Sequence, residues 1–326
     1  MQLSSQYNKL DFFNLIEAEL SEVHDYVNAQ LSSLHEPVNQ LLGHVNTTSG
    51  KMLRPGLVLL SGLCFGPILP VHITVAAIVE MVHDATLLHD DVIDEGDTRR
   101  GKTTVNRLFS NETAILAGDL LLSRASVICS SLDCDINKII ACATSQVCEG
   151  ELAQLMQRDN FQLTESEYIK IISQKTAALF SGCCKLGAVC SKAPEYQVEA
   201  LNKFGENIGI AFQITDDLLD IVGNEDQTGK TAGRDADKNK LTLSLIHQLS
   251  SVGEKEKRVL IEKIENSRQD RKVLVDILSN NGSLEYAGRR AGEFADLAIA
   301  SLADIADSPA KQALLSIAKF VTNRVA

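Results

Sequence analysis

Apolar positions recur every three or four residues along most of this chain, which is the spacing of amphipathic α-helices. Phe12, Ile16, Leu20, Val23 and Val27 show this spacing near the N-terminus. The alternation of polar and apolar residues that predicts strands is almost absent. The pattern predicts helices at residues 11–42, 56–64, 71–94, 113–131, 136–157, 165–191, 195–222, 240–250, 254–266 and 270–326, the last with a break at 280–282.

Few features interrupt this helical pattern. Thr164 and Glu167 have the spacing of a capping box that opens a helix. No linker is long enough to mark a domain boundary, so we expect residues 1–326 to form a single domain. The expected fold class is all-α, a single large helical bundle with its helices packed around one core. A composition of 44% hydrophobic and 23% charged residues fits a globular protein of this kind.

Two of the predicted helices carry the same acidic pattern, two adjacent aspartates followed three residues later by a third (DDxxD). Carboxylates at a helix C-terminus face the negative end of the dipole, and acids four residues apart repel by about 0.2–0.5 kcal/mol. Bound cations would make both clusters favourable. Oxygen ligands with little His or Cys nearby favour Mg²⁺ over zinc. The predicted metal ligands are Asp90, Asp91, Asp94, Asp216, Asp217 and Asp220.

One DDxxD pattern by itself is common on a solvated helix face. Here Val92, Ile93, Leu218 and Leu219 are apolar positions inside the clusters, which keeps each helix partly buried. Two clusters of one form therefore favour two facing magnesium sites. Because Mg²⁺ held by carboxylates completes its octahedron with phosphate oxygens, they also predict a phosphorylated substrate.

The net charge of −12 argues against a nucleic-acid partner, so an anionic substrate must be attracted by a few local cations. Lys51 and Arg54 stand at a helix start, and Arg99 and Arg100 follow the first acidic cluster. Each pair could be a surface pair, but together with two metal sites they could hold two diphosphates. The polar, Gly-rich residues 223–240 could be a surface connection, but lysines and an arginine beside the second cluster favour an anion-covering lid.

His83 shares a helical face with Asp90 and Asp94, which makes it a candidate ligand-binding residue rather than a core histidine. Glu80 and His83 also have the ExxH spacing of di-iron bundles, but no second ExxH occurs in the chain. Lys175 and Gln213 are polar residues in apolar helical runs. Each could make a structural hydrogen bond or bind substrate.

The eight cysteines show no CxxC or Cys/His zinc spacing, so we expect reduced, small core residues in a reducing compartment. The N-terminal sequence has no charged region followed by an apolar run, and no uninterrupted apolar segment approaches the roughly 18 residues of a membrane span. We therefore expect a soluble, cytoplasmic protein.

The ordered motifs GKMLRP, EMVH, LLHDDVIDEGDTRRGKTTVN, AGDLLL, GELAQL, QKTAALF and FQITDDLLD resemble those of trans-isoprenyl diphosphate synthases of the polyprenyl, octaprenyl-like type. The resemblance covers about residues 50–245. It implies an all-α homodimer whose protomer encloses a deep central cavity with both aspartate motifs at its mouth. It also implies up to three Mg²⁺ per active site, isopentenyl diphosphate and an allylic diphosphate such as farnesyl diphosphate as substrates, and a product of the kind used in quinone side chains. The greasy nature of that product motivates the further hypothesis of transient membrane contact for its release.

The resemblance also implies a role for each matching residue. Asp90, Asp94, Asp216 and Asp220 would bind metal, with Asp91 in support. Isopentenyl diphosphate would be held by Lys51, Arg54, His83 and Arg100. The allylic diphosphate would be held by Arg99, Lys175, Thr176, Gln213, Lys230 and Lys240. Asn239 and Ser244 depart from the family pattern and weaken the assignment of Lys240. The expected catalytic residues are Lys175, Thr176, Gln213, Asp90 and Asp216.

In this resemblance, small residues at Ala85 and Thr86 accompany long products, which predicts a product of about forty carbons. Thr86 lies one turn, about 6 Å, before Asp90 on the same helical face. The alternatives are a shorter-chain geranylgeranyl diphosphate synthase, a terpene cyclase, or an inactive regulatory subunit. A cyclase would carry a different second metal motif, and an inactive subunit should have lost aspartates that this chain keeps.

Overall fold

A computed structural model describes residues 11–47, 50–222, 240–266 and 271–323. Regular structure within these ranges is almost entirely helical, which confirms the predicted all-α class. A 3₁₀ turn, Asp11–Ile16, precedes the first α-helix. The α-helices are α1 (Glu17–Gln30), α2 (Glu36–Thr47), α3 (Leu53–Leu63), α4 (Pro70–Ile93), α5 (Val105–Leu108), α6 (Asn111–Cys129), α7 (Cys134–Met156), α8 (Glu165–Ile172), α9 (Ala178–Cys190), α10 (Glu195–Val222), α11 (Leu243–Ser250), α12 (Glu254–Asn266), α13 (Arg271–Ser279), α14 (Ser283–Ser301) and α15 (Pro309–Thr322).

The chain forms two compact units, each built from separate stretches of sequence. Unit 1 comprises Met1–Thr144, Leu179–Gly205 and Ser301–Ile317. Unit 2 comprises Ser145–Ala178, Glu206–Ala300 and Ala318–Ala326. The single domain expected over residues 1–326 stays a prediction.

Helix α4 packs against α1, α3 and α6 in unit 1. Pro70 occupies its first turn, where a proline needs no hydrogen-bond donor. The ring of His72 accepts a hydrogen bond from the Leu69 N–H at 3.0 Å and so closes the helix start. By length and composition, α4 is the one helix of the described residues that could cross a membrane, but 67% of its most apolar window is buried within the protein. Core packing therefore accounts for its hydropathy.

The apolar core of unit 2 joins α8, α10, α11, α13 and α14. Ile172, Ile214 and Leu278 at its centre are fully buried. The capping box predicted for α8 is confirmed, since the Glu167 N–H donates to Thr164 Oγ1 at 3.3 Å and the Thr164 N–H donates to Glu167 Oε2 at 2.9 Å. This box fixes the start of the helix that leads to Lys175.

Two predicted helices are shorter than the apolar spacing suggested. The helix expected at 11–42 is interrupted between α1 and α2, just before Pro37, and the last helical stretch is interrupted before Pro309. Proline disfavours a helical conformation in the residue before it and lacks a donor for the preceding turn. Asn39 stabilises the first interruption, because its side chain accepts from the Ser33 N–H at 2.7 Å and donates to the Ser33 carbonyl at 2.9 Å.

A short hairpin follows α4, where the sequence pattern predicted no strand. Strand β1 (Thr98–Arg99) pairs antiparallel with β2 (Lys102–Thr103). The connecting residues Arg100 and Gly101 have φ values of 52° and 73°, the left-handed pair that a type I′ turn requires. The hairpin separates the side chains of Arg99, on a strand, and Arg100, in the turn.

The expectation that the cysteines are core residues was wrong for Cys134, Cys142 and Cys148, which are exposed on α7. The eight cysteines, all within the described residues, form no disulfide, and Cys183, Cys184 and Cys190 are buried on α9 as predicted. Burial raises the pKa of the Cys184 thiol to about 12, so this group stays neutral. Small residues on amphipathic helices do not reveal by type alone which face they occupy.

Candidate active site

The first acidic cluster lies at the C-terminal end of α4, as the sequence predicted. The helix ends at Ile93, and the Asp94 N–H donates to the Asp90 carbonyl at 2.8 Å. The Asn106 side-chain amide donates to the carbonyls of Asp91 and Gly96, each at 3.2 Å. The carbonyl groups at this helix end are therefore partly satisfied by the segment that follows the hairpin.

Asp91 differs from the other two aspartates of this cluster. It is buried, whereas Asp90 and Asp94 are half-buried. The Arg99 guanidinium donates to both Asp91 oxygens, from Nε at 2.9 and 3.0 Å and from Nη2 at 2.7 Å. Burial acts to lower the pKa of Arg99, but the hydrogen bond and charge of Asp91 outweigh it and raise that pKa. Arg99 is thus fixed in its charged form.

Three of the four residues predicted to hold isopentenyl diphosphate lie close together in unit 1. Arg54 Nη1 and His83 Nε2 are 2.9 Å apart, and the Arg54 guanidinium lies 4.9 Å from the centre of the Phe180 ring. The Arg100 guanidinium packs on Gly50, where a Cβ atom would come within 2.2 Å of Arg100 Nη2. Lys51, the fourth, follows Gly50 and is exposed.

Two buried acids, Glu80 and Asp84, lie near this basic cluster. Sequence reasoning missed Asp84 and considered Glu80 only for its ExxH spacing with His83. Their exposed fractions are 3% and 7%. Burial and the Glu80 charge raise the pKa of the Asp84 carboxyl well above its usual range, against the opposing effect of Arg100 and Arg54. Burial likewise raises the pKa of Glu80 and lowers that of Arg54. Among the described residues, Glu80 Oε2 and Arg54 Nε find no hydrogen-bond partner.

The two residues predicted to control product length have different environments. Ala85 is fully buried, so its methyl group belongs to the core of unit 1. Thr86 is half-buried, and its hydroxyl donates to the His83 carbonyl at 2.7 Å. Thr86 is therefore the residue of this pair with side-chain surface that the core does not cover.

In unit 2, Lys175 and Thr176 lie in a π-helical turn, Ser173–Ala177, between α8 and α9. Such single turns with one extra residue are frequent at functional sites. The Lys175 ammonium contacts Glu151 Oε2 at 2.5 Å and donates to Gln154 Oε1 at 2.7 Å. Both acceptors lie on α7 within the GELAQL motif, which thereby gains a structural role.

The second acidic cluster, on α10, is joined to this turn by hydrogen bonds. The Thr176 hydroxyl donates to Gln213 Oε1 at 2.6 Å, and Gln213 Nε2 donates to Asp217 Oδ1 at 2.7 Å. The Tyr168 hydroxyl donates to Asp217 Oδ2 at 2.6 Å. Asp217 is buried, whereas Asp216 and Asp220 are half-buried.

The assignment of the six aspartates as metal ligands remains a prediction. Within the described part of the chain, no three His, Cys, Asp or Glu side chains converge into a metal-binding cluster. Lys230 and most of the predicted lid, residues 223–239, lie outside the described residues. Lys240 is half-buried just before α11.

The sequence matches the model of the polyprenyl synthetase family over residues 35–280. The chain belongs to this family. It is 35% identical over 288 residues to octaprenyl diphosphate synthase of Escherichia coli (strain K12), in an alignment that covers 87% of this chain and 89% of the relative.

Two solved structures of the polyprenyl synthetase type extend this likeness. The polyprenyl synthase from Caulobacter crescentus CB15, complexed with calcium and isoprenyl diphosphate, is 31% identical with a TM-score of 0.89 and covers 97% of each chain. Geranylgeranyl pyrophosphate synthetase from Pyrococcus horikoshii Ot3 is 31% identical with a TM-score of 0.86, over 96% of this chain and 98% of the relative. The predicted prenyltransferase activity is thereby confirmed. The products named for these relatives differ in length, so family membership leaves that length open.

Sequence reasoning missed three polar residues that lie beside predicted site residues. Tyr168, Glu151 and Gln154 contact predicted site residues, and each lies within or near a recognised motif. These residues are far in sequence from the residues they contact, so the contacts could not be predicted from the sequence. For Tyr168, the available signal in the sequence was a polar residue in an apolar helical run, one or two helical turns from Lys175.

Proposed function

We propose that this chain adds isopentenyl diphosphate head-to-tail to an allylic diphosphate and makes a long all-trans polyprenyl diphosphate of about forty carbons. One observation supports the proposal most strongly: the aspartates of the two DDxxD clusters differ in burial in the same way. In each, the second aspartate is buried and bound by protein donors, and the first and third remain half-buried. Two unrelated surface clusters would have no reason to share this division.

The half-buried acids suit divalent metal binding. Asp90 and Asp94, like Asp216 and Asp220, offer hard carboxylate oxygens four residues apart on one helix, and Mg²⁺ needs few protein ligands because it retains water and takes up phosphate oxygens. The calcium in the Caulobacter relative supports a divalent ion. Up to three Mg²⁺ would supply Lewis-acid stabilisation of the departing diphosphate. Asp91 and Asp217 would support these ligands.

The basic cluster of unit 1 suits isopentenyl diphosphate. Arg54, His83, Arg100 and Lys51 together supply planar guanidinium donors and an ammonium group for one diphosphate. Glu80 and Asp84 reduce the repulsion between Arg54 and Arg100. Burying Arg54 without such acids would be more costly.

The residues around the π-helical turn suit the allylic diphosphate. Lys175 would bind its oxygens, and the family resemblance adds Arg99, Lys230 and Lys240 to this role. Thr176 and Gln213 would face the carbon that becomes cationic when the C–O bond breaks. The double bond of isopentenyl diphosphate then attacks this cation, and loss of a proton leaves a chain five carbons longer. Closure of the predicted lid would exclude water, which would otherwise trap the cation.

Thr86 supports a long product, since it is small and only half-buried one turn before Asp90. Thr86→Phe is expected to shorten the product, and Thr86→Val serves as a control of unchanged size. An unchanged chromatographic product length in Thr86→Phe would contradict this role. Ala85→Phe is a poorer test, because overpacking a fully buried position destabilises the core.

We also propose a homodimer. Ile115, Leu116 and Val127 on α6 are 43%, 65% and 71% exposed, an apolar surface that a second copy of the chain would cover. Light scattering should give twice the chain mass for the wild type, and Leu116→Glu should shift the measured mass toward that of the monomer.

A greasy product would make transient membrane contact useful, and absence of binding to liposomes with product present would exclude that contact.

The decisive test combines the purified protein with Mg²⁺, labelled isopentenyl diphosphate and farnesyl diphosphate. Elongation to about forty carbons supports the proposal, and termination at twenty supports a geranylgeranyl synthase. Absence of incorporation supports an inactive subunit. Asp90→Asn and Asp216→Asn should each abolish turnover, and Asp135→Asn, an exposed acid on α7, should leave it unchanged.

A further inference from the structure

Tyr168, Asp217, Gln213 and Thr176 form a continuous hydrogen-bonded chain in unit 2, and the chemistry of its members fixes its direction. A carboxylate is only an acceptor, so Asp217 receives a hydrogen from Tyr168 on one oxygen and from Gln213 on the other. Gln213 must then present its NH₂ group to Asp217 and its carbonyl oxygen to Thr176. Thr176 must donate its hydroxyl hydrogen to that carbonyl.

This direction limits what Thr176 can do next. A threonine hydroxyl has one hydrogen, and here that hydrogen is used on Gln213. Toward any other group, Thr176 Oγ1 can act only through its lone pairs. Lone pairs repel a diphosphate oxygen and attract a carbocation, so the side chain is better suited to the cation than to the leaving group.

We propose that Tyr168 is a positioning residue for the condensation, because with Asp217 it orients Gln213 and Thr176 so that acceptor oxygens face the allylic cation. This inference rests on the proposed function. Tyr168 is 2% exposed and lies on α8, and Gln213 and Asp217 lie one turn apart on α10. Helix α8 therefore holds one end of the chain of bonds, α10 holds its middle and the π-helical turn holds the end at Thr176. Rigid holding of this kind gives electrostatic preorganisation.

Tyr168→Phe removes one hydroxyl and keeps the ring in the core. The first condensation, followed in a single turnover so that product release does not mask it, should slow about 5- to 20-fold, with the KM for farnesyl diphosphate within about two-fold of wild type. That result is the signature of an interaction made only in the transition state. Tyr286→Phe is the matched control, since Tyr286 in the same unit also donates to a carboxylate, Glu165, at 2.5 Å.

Thr176 variants test the same chain from its other end. Thr176→Val should slow the condensation about 10- to 100-fold, and Thr176→Ser, which keeps the hydroxyl, should restore most of the rate. If Tyr168 acts through Gln213 and Thr176, adding Tyr168→Phe to Thr176→Val should cause little further loss. Should Tyr168→Phe fail to fold, as judged by circular dichroism, equal condensation rates in Thr176→Val and Thr176→Ser would still overturn the inference.

The possible results distinguish a failure of the proposed function from a failure of the inference about Tyr168. An inactive wild-type protein contradicts the proposed function and not the orientation of these bonds. An active wild type with an unchanged rate in Tyr168→Phe overturns the inference. A higher KM at an unchanged single-turnover rate overturns it too, because the bonds would then serve diphosphate binding. Equal rates in Thr176→Val and Thr176→Ser also contradict it.

Discussion

Gly150→Ala gives a strong test of the packing that holds Lys175. Gly150 lies within helix α7, where alanine normally stabilises by about 0.5–1 kcal/mol relative to glycine. Here an added Cβ would lie 2.2 Å from Lys175 N, 2.7 Å from Lys175 Cα and 2.8 Å from the Gln174 carbonyl carbon. These are backbone atoms of the π-helical turn, so no side-chain rotation can relieve the overlap.

The magnitude follows from these distances. Non-bonded heavy atoms are most favourable at about 3.5–4.0 Å, so α7 and the turn must separate by about 1 Å. Overpacking of this kind costs about 1–3 kcal/mol, which exceeds the gain in helix propensity. At about 2–4 °C per kcal/mol for a protein of this size, the thermal midpoint should fall by several degrees. Movement of Lys175 away from Glu151 should also raise the KM for the allylic diphosphate.

Gly288→Ala is the matched control. Gly288 lies within α14, in the same unit, and a Cβ there meets no atom within 4 Å. The same substitution should therefore raise the midpoint by about 1–4 °C. Thermal unfolding followed by circular dichroism, with steady-state kinetics of both variants, measures the contrast. A Gly150→Ala protein as stable and as active as wild type would refute the reasoning.

Three further predictions follow from the site. Asp84→Asn should raise the thermal unfolding midpoint more at pH 8 than at pH 5. Burial raises the pKa of Asp84 in the folded protein, so the wild type loses stability as pH rises from the pKa of the unfolded chain, about 4, through the pKa of the folded protein. Asparagine does not titrate, so the variant lacks this loss. An equal gain at both pH values would contradict this. Asp91→Asn should destabilise the protein by about 3–5 kcal/mol in urea unfolding, because Arg99 would stay buried without its charge partner; a loss below about 1 kcal/mol would mean that the pair behaves as a surface salt bridge. Glu151→Gln should raise the KM for the allylic diphosphate several-fold and leave that for isopentenyl diphosphate unchanged, because Lys175 loses an ion pair; Glu149→Gln, an exposed neighbour on α7, is its control.

Patterns of neighbouring residues in the sequence were enough to predict much of the secondary structure of this protein. The spacing of apolar residues, the capping box at Thr164 and the break in periodicity after each DDxxD are properties of consecutive residues. They therefore predicted the all-α class and the end of α4 near Gly96. The two further breaks also had a local signal, because Pro37 and Pro309 each lie in the first turn of the helix that follows the break, where proline is preferred.

The partner of each polar side chain was decided only by tertiary structure. The sequence could not assign Asp91 to Arg99, Asp217 to Tyr168, or Lys175 to Glu151, because each contact depends on how helices or a hairpin pack after they form. The residue pattern by itself gave the six aspartates as equivalent, and only the family resemblance assigned Asp91 a supporting role. Burial separates both Asp91 and Asp217 from the rest. Helical periodicity records which face of a segment is apolar, but burial and hydrogen bonding of one carboxylate depend on groups brought to it from elsewhere in the chain.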